Sequence, residues 1–276
     1  MKLRLVAGVL LLLVAVGLPL AAMSGSGPPW GFRGHSAVVI EVTGTVEGTA
    51  SEQRRQRENA LDDKLDVAPN LHMDPGDELR VARLSQAHIR FAGVDVRIGD
   101  GARVLVEDAG VRLVRGLVDV NLSEGGRTFT VELDSGGAVV VRGASAHARV
   151  LADGKGGVVA FVTDGSLAGR STRGEVLVEP GRMLSLRGDV AKVVDRPDGV
   201  SVAGTCANGK LNIVASANAQ VFVAGGLAYP DVSTDADTGS VVVDVEPTAK
   251  TVSVLARDIF GTVKTVVVAC DTGKKR

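Results

Sequence analysis

Aromatic residues are the scarcest class: they make up 3% of the 276-residue chain, with one Trp and one Tyr. A stacking platform for single-stranded nucleic acid needs several exposed rings, so that class is excluded. Charge of one sign is missing as well. The 31 Lys and Arg against 32 Asp and Glu leave a net charge of −1, which supplies no basic excess to hold a phosphate backbone. Nucleic acid is therefore not an expected partner. Four His and two Cys leave little material for a metal centre or a thiol nucleophile. Cys206 and Cys270, with no nearby His, cannot supply four ligands. The chain contains neither H-E-x-x-H nor G-x-S-x-G. Gly154-Lys155 and Gly273-Lys274 lack the spacing and the following hydroxyl of a phosphate loop, and read as turns. Asp62-Asp63 sits in a charged stretch and reads as hydrated. Asp231, Asp235 and Asp237 approach a calcium loop but lack its D-x-D-x-D-G order and distal Glu, so a polar loop is the simpler reading. His35, His72, His88 and His147 are scattered and read as surface or satisfied side chains. No catalytic, cofactor-binding or metal-binding residue is expected, and the reading is non-enzymatic.

What is abundant is Val, at 47 residues, and Gly, at 35. β-Branched residues favour strands, and Gly favours the tight turns between them. The expected fold class is all-β.

The N-terminus is a targeting segment. Lys2 and Arg4 precede an uncharged, apolar run over residues 5–23, the n-region and h-region of an export signal. Small residues follow at Ala21, Ala22, Ser24 and Gly25, so residues 1–24 are either a cleaved signal peptide or a retained N-terminal anchor in the inner membrane. Both place the rest of the chain in the periplasm or outside the cell. Two cysteines in an oxidising compartment form, most simply, one disulfide, Cys206–Cys270; two buried free thiols are the alternative.

Residues 25–36 are a Gly-, Pro- and Ser-rich linker, in which Trp30 marks either a membrane interface or a contact with the first domain. Residues 37–46 alternate as a strand. Residues 47–70 are a charged insertion, with nine charges between Glu52 and Asp66; Ser51 is placed to cap a short helix reaching residue 65. This insertion is read as a solvated surface element, with a partner-binding arm as the sharper option. From residue 71 to 186, short Val-rich strands recur about every ten residues, separated by Asp-Gly and Gly-Gly turns. That spacing fits a sandwich, a jelly roll or a solenoid-like domain. Gly76, Asp77, Gly116, Gly143 and Gly181 are the expected turn residues. Arg196-Pro197-Asp198-Gly199 breaks the pattern and separates a domain at 37–196 from one at 197–271. The second has about six strands and fits a small immunoglobulin-like sandwich. A basic tail follows at 272–276.

Several of these pieces, taken in order, resemble the periplasmic FecR domain. Val42-Thr43-Gly44-Thr45-Val46 is similar to its opening V-x-G-x-V, and Gly76-Asp77-Glu78-Leu79-Arg80 to its G-D-x-L turn and strand. Leu113 to Val120 resembles its L-x-x-G-x-V-x-V step. Phe129-Thr130-Val131 with Gly137, Val139, Val141 and Gly143 follows its F-x-V…G-x-V-x-V-x-G run, and Leu177 to Gly181 its closing strand and turn. The departures are Leu133-Asp134-Ser135 in place of Thr-Pro, and Ala144 in place of Thr. The likeness covers about residues 37–190. It implies the FecR fold; the short Met1–Arg4 lead implies that the anti-sigma arm of signalling members is not kept. Val252-Ser253-Val254-Leu255-Ala256-Arg257-Asp258 to Gly261 is similar to the V-x-V-x-A-x-D-x-x-G run of bacterial Ig-like modules.

The expected function is contact without turnover: a cell-envelope binding or scaffold protein whose partner is an envelope protein or a cell-wall glycan. The alternative is an envelope signalling component of FecR type, working through a transmembrane partner.

Overall fold

A computed structural model describes residues 37–123, 127–223, 226–228, 238–246 and 248–271. The expected signal, anchor, linker, Trp30, the Asp231 to Asp237 loop and the basic tail lie outside the described residues.

The described chain is almost entirely strand, as the composition requires. The first part runs β1 (Ala37–Thr43), β2 (Val46–Thr49), helix α1 (Glu52–Glu58), β3 (Lys64–Leu65), β4 (His72–Met73), β5 (Glu78–Val81), β6 (Gln86–Phe91), β7 (Val94–Ile98), β8 (Arg103–Glu107), β9 (Gly110–Leu122), β10 (Arg127–Leu133), β11 (Ala138–Ala152), β12 (Gly157–Ser171), β13 (Gly174–Val178), β14 (Arg182–Arg187) and β15 (Val190–Asp195). The second runs β16 (Val202–Ala207), β17 (Lys210–Ser216), β18 (Ala219–Val223), β19 (Gly226–Ala228), β20 (Thr238–Asp244), β21 (Thr251–Asp258) and β22 (Val263–Asp271). Strands β1 to β15 form one 15-stranded sheet, and β16 to β22 one 7-stranded sheet. Both belong to a single compact unit.

Three long strands give the first sheet its shape. In β9, residues 111–115 pair with β8, and residues 116–122 pair with β11. In β11, residues 138–143 pair with β10 and 146–152 with β9. In β12, residues 157–161 pair with β14 and 167–171 with β13. Each strand therefore changes partner midway, and a glycine sits at each change: Gly116 (φ 95°), Gly143 (φ 151°) and Gly165 (φ 81°). Here the structure corrects the sequence reading. Gly116 and Gly143 are kinks inside continuous strands, whereas Gly76 and Gly181 do lie in turns between strands. The kink at Gly116 leaves no space for a side chain, because a Cβ there would stand 2.4 Å from the Ala102 Cα.

The folded sheet encloses one apolar core. It is built from alternate residues, such as Val94, Val96 and Ile98 of β7 and Val118, Val120 and Leu122 of β9. Alternation follows from the two-residue period of a strand, so the intervening side chains form the outer face. The helix within the charged insertion is shorter than expected, spanning Glu52–Glu58 instead of reaching residue 65. Ser51 caps α1 by accepting the Arg54 N–H at 3.3 Å. The helix ends at Asn59, which takes a left-handed φ of 50° and returns its N–H to the Arg55 carbonyl. The Asp77 side chain, fully buried, accepts the N–H groups of Ser51 (2.7 Å) and Asp74 (2.9 Å) and the Arg54 guanidinium (2.9 Å). Asp77 therefore fixes the insertion to the body of the protein.

The second sheet folds as a small β-sandwich with its own core around Leu211, Ile213, Val221 and Val254. Strands β16, β17 and β20 form one layer, and β19, β18, β21 and β22 the other. They meet where β16 and β22 pair in parallel at Cys206 and Cys270, which are joined by a disulfide. The bond closes a 64-residue separation at the one pairing between the layers among the described residues. An oxidising compartment is where such a bond persists.

Candidate binding cleft between the two sheets

The outer face of the first sheet carries a row of residues in cross-strand register. From β6 to β15 it reads His88, Arg97, Asp119, Arg149, Phe161, Met183 and Val194. All stand on the face opposite the core, because their strand neighbours at the alternate positions point inward. The row is polar at one end and apolar at the other.

The apolar end is covered by the turn between β21 and β22. Ile259 packs in a cluster with Leu151, Val159, Phe161 and Met183, with Phe260 against it. The rings of Phe161 and Phe260 meet edge to face, 4.7 Å between centroids. The Arg196 guanidinium lies 4.1 Å from the Phe260 ring centre, so the segment joining the two sheets is fixed at the same place. The turn holds its shape through Asp258, whose Oδ1 accepts the N–H groups of Phe260 (3.0 Å) and Thr262 (2.7 Å), and through Gly261 at φ 90°. The Asp and Gly of the D-x-x-G run therefore shape the projecting turn, and the two residues between them dock it.

Polar bonds complete the seam. Arg257 donates to Asp100 Oδ2 at 2.6 Å and to Gln220 Oε1 at 3.0 Å, and Gln220 Nε2 donates to the Asp100 carbonyl at 3.3 Å. Arg149 donates to the Ile259 carbonyl at 3.1 Å and to Asp119 Oδ2 at 2.9 Å. Between these bonds lies a cleft of about 260 Å³, whose wall includes Arg97, Asp100, Asp119, Arg149, Arg257 and Ile259.

Next to the cleft the polar face is tied together in two similar groups. Asp119 also bonds the His147 Nε2 at 2.7 Å, and the His147 Nδ1 lies 3.0 Å from Thr163 Oγ1. Asp95 bonds His88 Nε2 at 2.9 Å and Arg90 Nε at 2.7 Å. Burial pushes the Asp95 carboxyl up, but the bonds from Arg90 and His88 outweigh it and hold it below the usual carboxylate range. Within the cleft, Asp100 and Asp119 neutralise Arg257 and Arg149. Arg97 has no side-chain ion pair among the described residues and lines the cleft as an exposed cation.

The residues singled out from the sequence lie elsewhere. Gly76 and Asp77 belong to the turn that anchors α1, Gly181 to the turn before β14, and the cysteines to the second sandwich. Asp62 accepts the Lys64 N–H at 3.0 Å, which holds its carboxyl below the ordinary value. Sequence reading assigned no site role to Asp100, Asp119, Arg149, Gln220 or Arg257. The alternation in β7, β9 and β11 was the available signal that their charged residues share a face; nothing local to Asp100 or Arg257 marks them as partners 157 positions apart. Among the described residues no group of three or more His, Cys, Asp or Glu side chains is placed to hold a metal ion. Among them, too, no helix is long and apolar enough to cross a membrane.

Fold and site together define a two-module all-β protein with a charged cleft where the modules meet. No protein-family model matches the chain, and no curated protein matches it. Two solved chains are similar to part of it, both from Parabacteroides distasonis and both described as a "putative anti-sigma factor". They are 15% and 14% identical to it, each with a TM-score of 0.36, over 43% of this chain and 60% of theirs.

Proposed function

We propose that the protein acts outside the cytoplasm as a non-enzymatic contact protein of the cell envelope, holding a protein or cell-wall glycan at the cleft between a FecR-like domain and an Ig-like module. The observation that carries this reading is the docking of Ile259 and Phe260 on the outer sheet face, which makes one continuous surface from two modules. Around it, guanidinium and carboxylate groups are held in fixed pairs by neighbouring strands, an arrangement suited to recognising a partner surface. The disulfide supports the extracytoplasmic setting. The export-type segment at residues 5–23 supports it too, either as a cleaved signal or as an inner-membrane anchor.

A second reading is an envelope signalling component of FecR type that works through a transmembrane partner. The ordered FecR-like steps over residues 37–190 favour it. Pull-down from envelope fractions tests both readings. Retention of an envelope protein or of peptidoglycan by the wild type, lost on Arg97→Glu, is the expected result. Recovery of cytoplasmic proteins alone overturns both readings. N-terminal sequencing of the native protein separates them: a soluble chain starting near Ala22 to Gly25 removes direct transmembrane signalling.

A further inference from the structure

Among the described residues four non-glycine residues take a left-handed backbone, and three of them are asparagine: Asn59, Asn70 and Asn208. The fourth is Leu84, at φ 55°. Asparagine tolerates this region because its short amide bonds locally, whereas a leucine there brings its Cβ against the following carbonyl. Leu84 occupies the second central position of the turn at residues 82–85, where a positive φ ordinarily calls for Gly or Asn. Packing does not account for the choice, since the residue is 77% exposed.

The turn is held firmly all the same. Ser85 donates its N–H to Asp100 Oδ1 (3.2 Å) and its hydroxyl to the Arg83 carbonyl (3.1 Å), and accepts the Thr45 N–H (2.9 Å). Asp100 is also the carboxylate that latches Arg257. One side chain thus fixes both the strained turn and the seam. Ser85 and Gln86, the residues after Leu84, line the cleft together with Arg97. Arg83 beside it and Arg97 within the cleft are both exposed, and neither side chain forms an ion pair among the described residues. The nearby carboxylates of Asp100 and Asp119 are already engaged by Arg257, Arg149 and His147.

We infer that Leu84 is an apolar anchor for a protein partner, one that presents an apolar pocket rimmed by carboxylates to the turn and the adjoining cleft. Local strain persists where the surrounding structure over-determines it, and it collects at sites that bind. A rigid apolar knob next in the chain to the exposed Arg83, at a turn that leads into the cleft lined by Arg97, matches an acidic-rimmed pocket in shape and in charge. The occupant is a protein and not a glycan, because a leucine held out of its own core needs an apolar hole to enter. This inference rests on the contact function proposed above and narrows it to one partner class.

The test uses the full chain and its Leu84→Asn variant, which places at this turn the residue used at the other three left-handed positions. Polypeptides retained from envelope extract by the wild type are identified, purified and titrated against each variant. Leu84→Asn is expected to melt at or above the wild-type temperature and to bind the partner at least about tenfold more weakly. Arg83→Glu/Arg97→Glu is expected to weaken it comparably, and raised salt to weaken the wild-type complex. Leu61→Asn, at a fully exposed leucine, is expected to leave binding unchanged. A lower melting temperature for Leu84→Asn would assign Leu84 to the fold and overturn the inference. Unchanged partner affinity in Leu84→Asn overturns it while the contact function stands; unchanged affinity in the charge-reversed pair overturns both it and the cleft as the contact site. If the wild type retains only glycan, the inference fails and the contact function again stands; if it retains nothing, both fail.

Discussion

Phe260→Ala should uncouple the two sheets. Deleting a fully buried Phe side chain costs about 3–5 kcal/mol. Phe260 is half-buried, so roughly half of that, about 2 kcal/mol, is the packing share. The edge-to-face contact with Phe161 contributes about 0.5–1.5 kcal/mol beyond area burial, and the Arg196 guanidinium over the ring about 0.5–1 kcal/mol. These contributions overlap, which sets the expected loss near 2–3 kcal/mol. At about 2–4 °C per kcal/mol for a protein of this size, melting falls by roughly 4–12 °C. Calorimetry has a second signature to read. The second sandwich has a separate core and its own disulfide, so once the seam is loosened the single transition should divide into two. An unchanged melting temperature with one transition would refute the claim that this turn joins the modules.

Three further outcomes follow from particular contacts. Asp77→Asn removes a buried charge that accepts from Ser51, Asp74 and Arg54, and should cost about 2–3 kcal/mol; limited trypsin digestion should then cut first at the arginines of α1, and unaltered digestion would contradict its anchoring role. Gly116→Val meets the Ala102 backbone inside a strand and should cost more than about 2 kcal/mol; an unchanged urea midpoint would contradict the kink. For Glu78, burial pushes the carboxyl up, but hydrogen bonds from Arg103 and Arg80 outweigh it and hold it below the usual range. A folded-state value lowered in this way adds stability above the unfolded value of about 4.5, and that stability is lost as pH falls through the folded value. The stability gap between wild type and Glu78→Gln should therefore be full at neutral pH and close below about pH 4.5; a gap constant from pH 7 to 3 would contradict the ion cluster.

Much of the fold is legible along the chain. Val94, Val96 and Ile98 alternate with Asp95 and Arg97, and the structure buries the first set and exposes the second or leaves it half-buried. Ser51 reads as a helix cap, and it is one. The end of that helix was misplaced because the charges continue to residue 66 while Asn59, an ordinary polar residue in the pattern, turns the backbone left-handed. Gly116 and Gly143 were misread for a related reason. A glycine between Val-rich segments suits a turn or a kink equally, and only the change of strand partner distinguishes them. Leu84 left no trace at all in the sequence, since hydrophobicity reports neither its φ nor its exposure.

Composition and two-residue alternation determined by themselves that this chain builds Val-lined sheets, which side chains face the core, and that two cysteines stand ready to pair. Those are local properties, set by backbone stereochemistry and by transfer of apolar side chains out of water. The tertiary structure alone decided where the outer faces meet. Asp100 finds Arg257 and Phe161 finds Phe260 through strand register and the packing of one sheet on another. Such pairings depend on positions about a hundred or more residues apart, and no local preference encodes them.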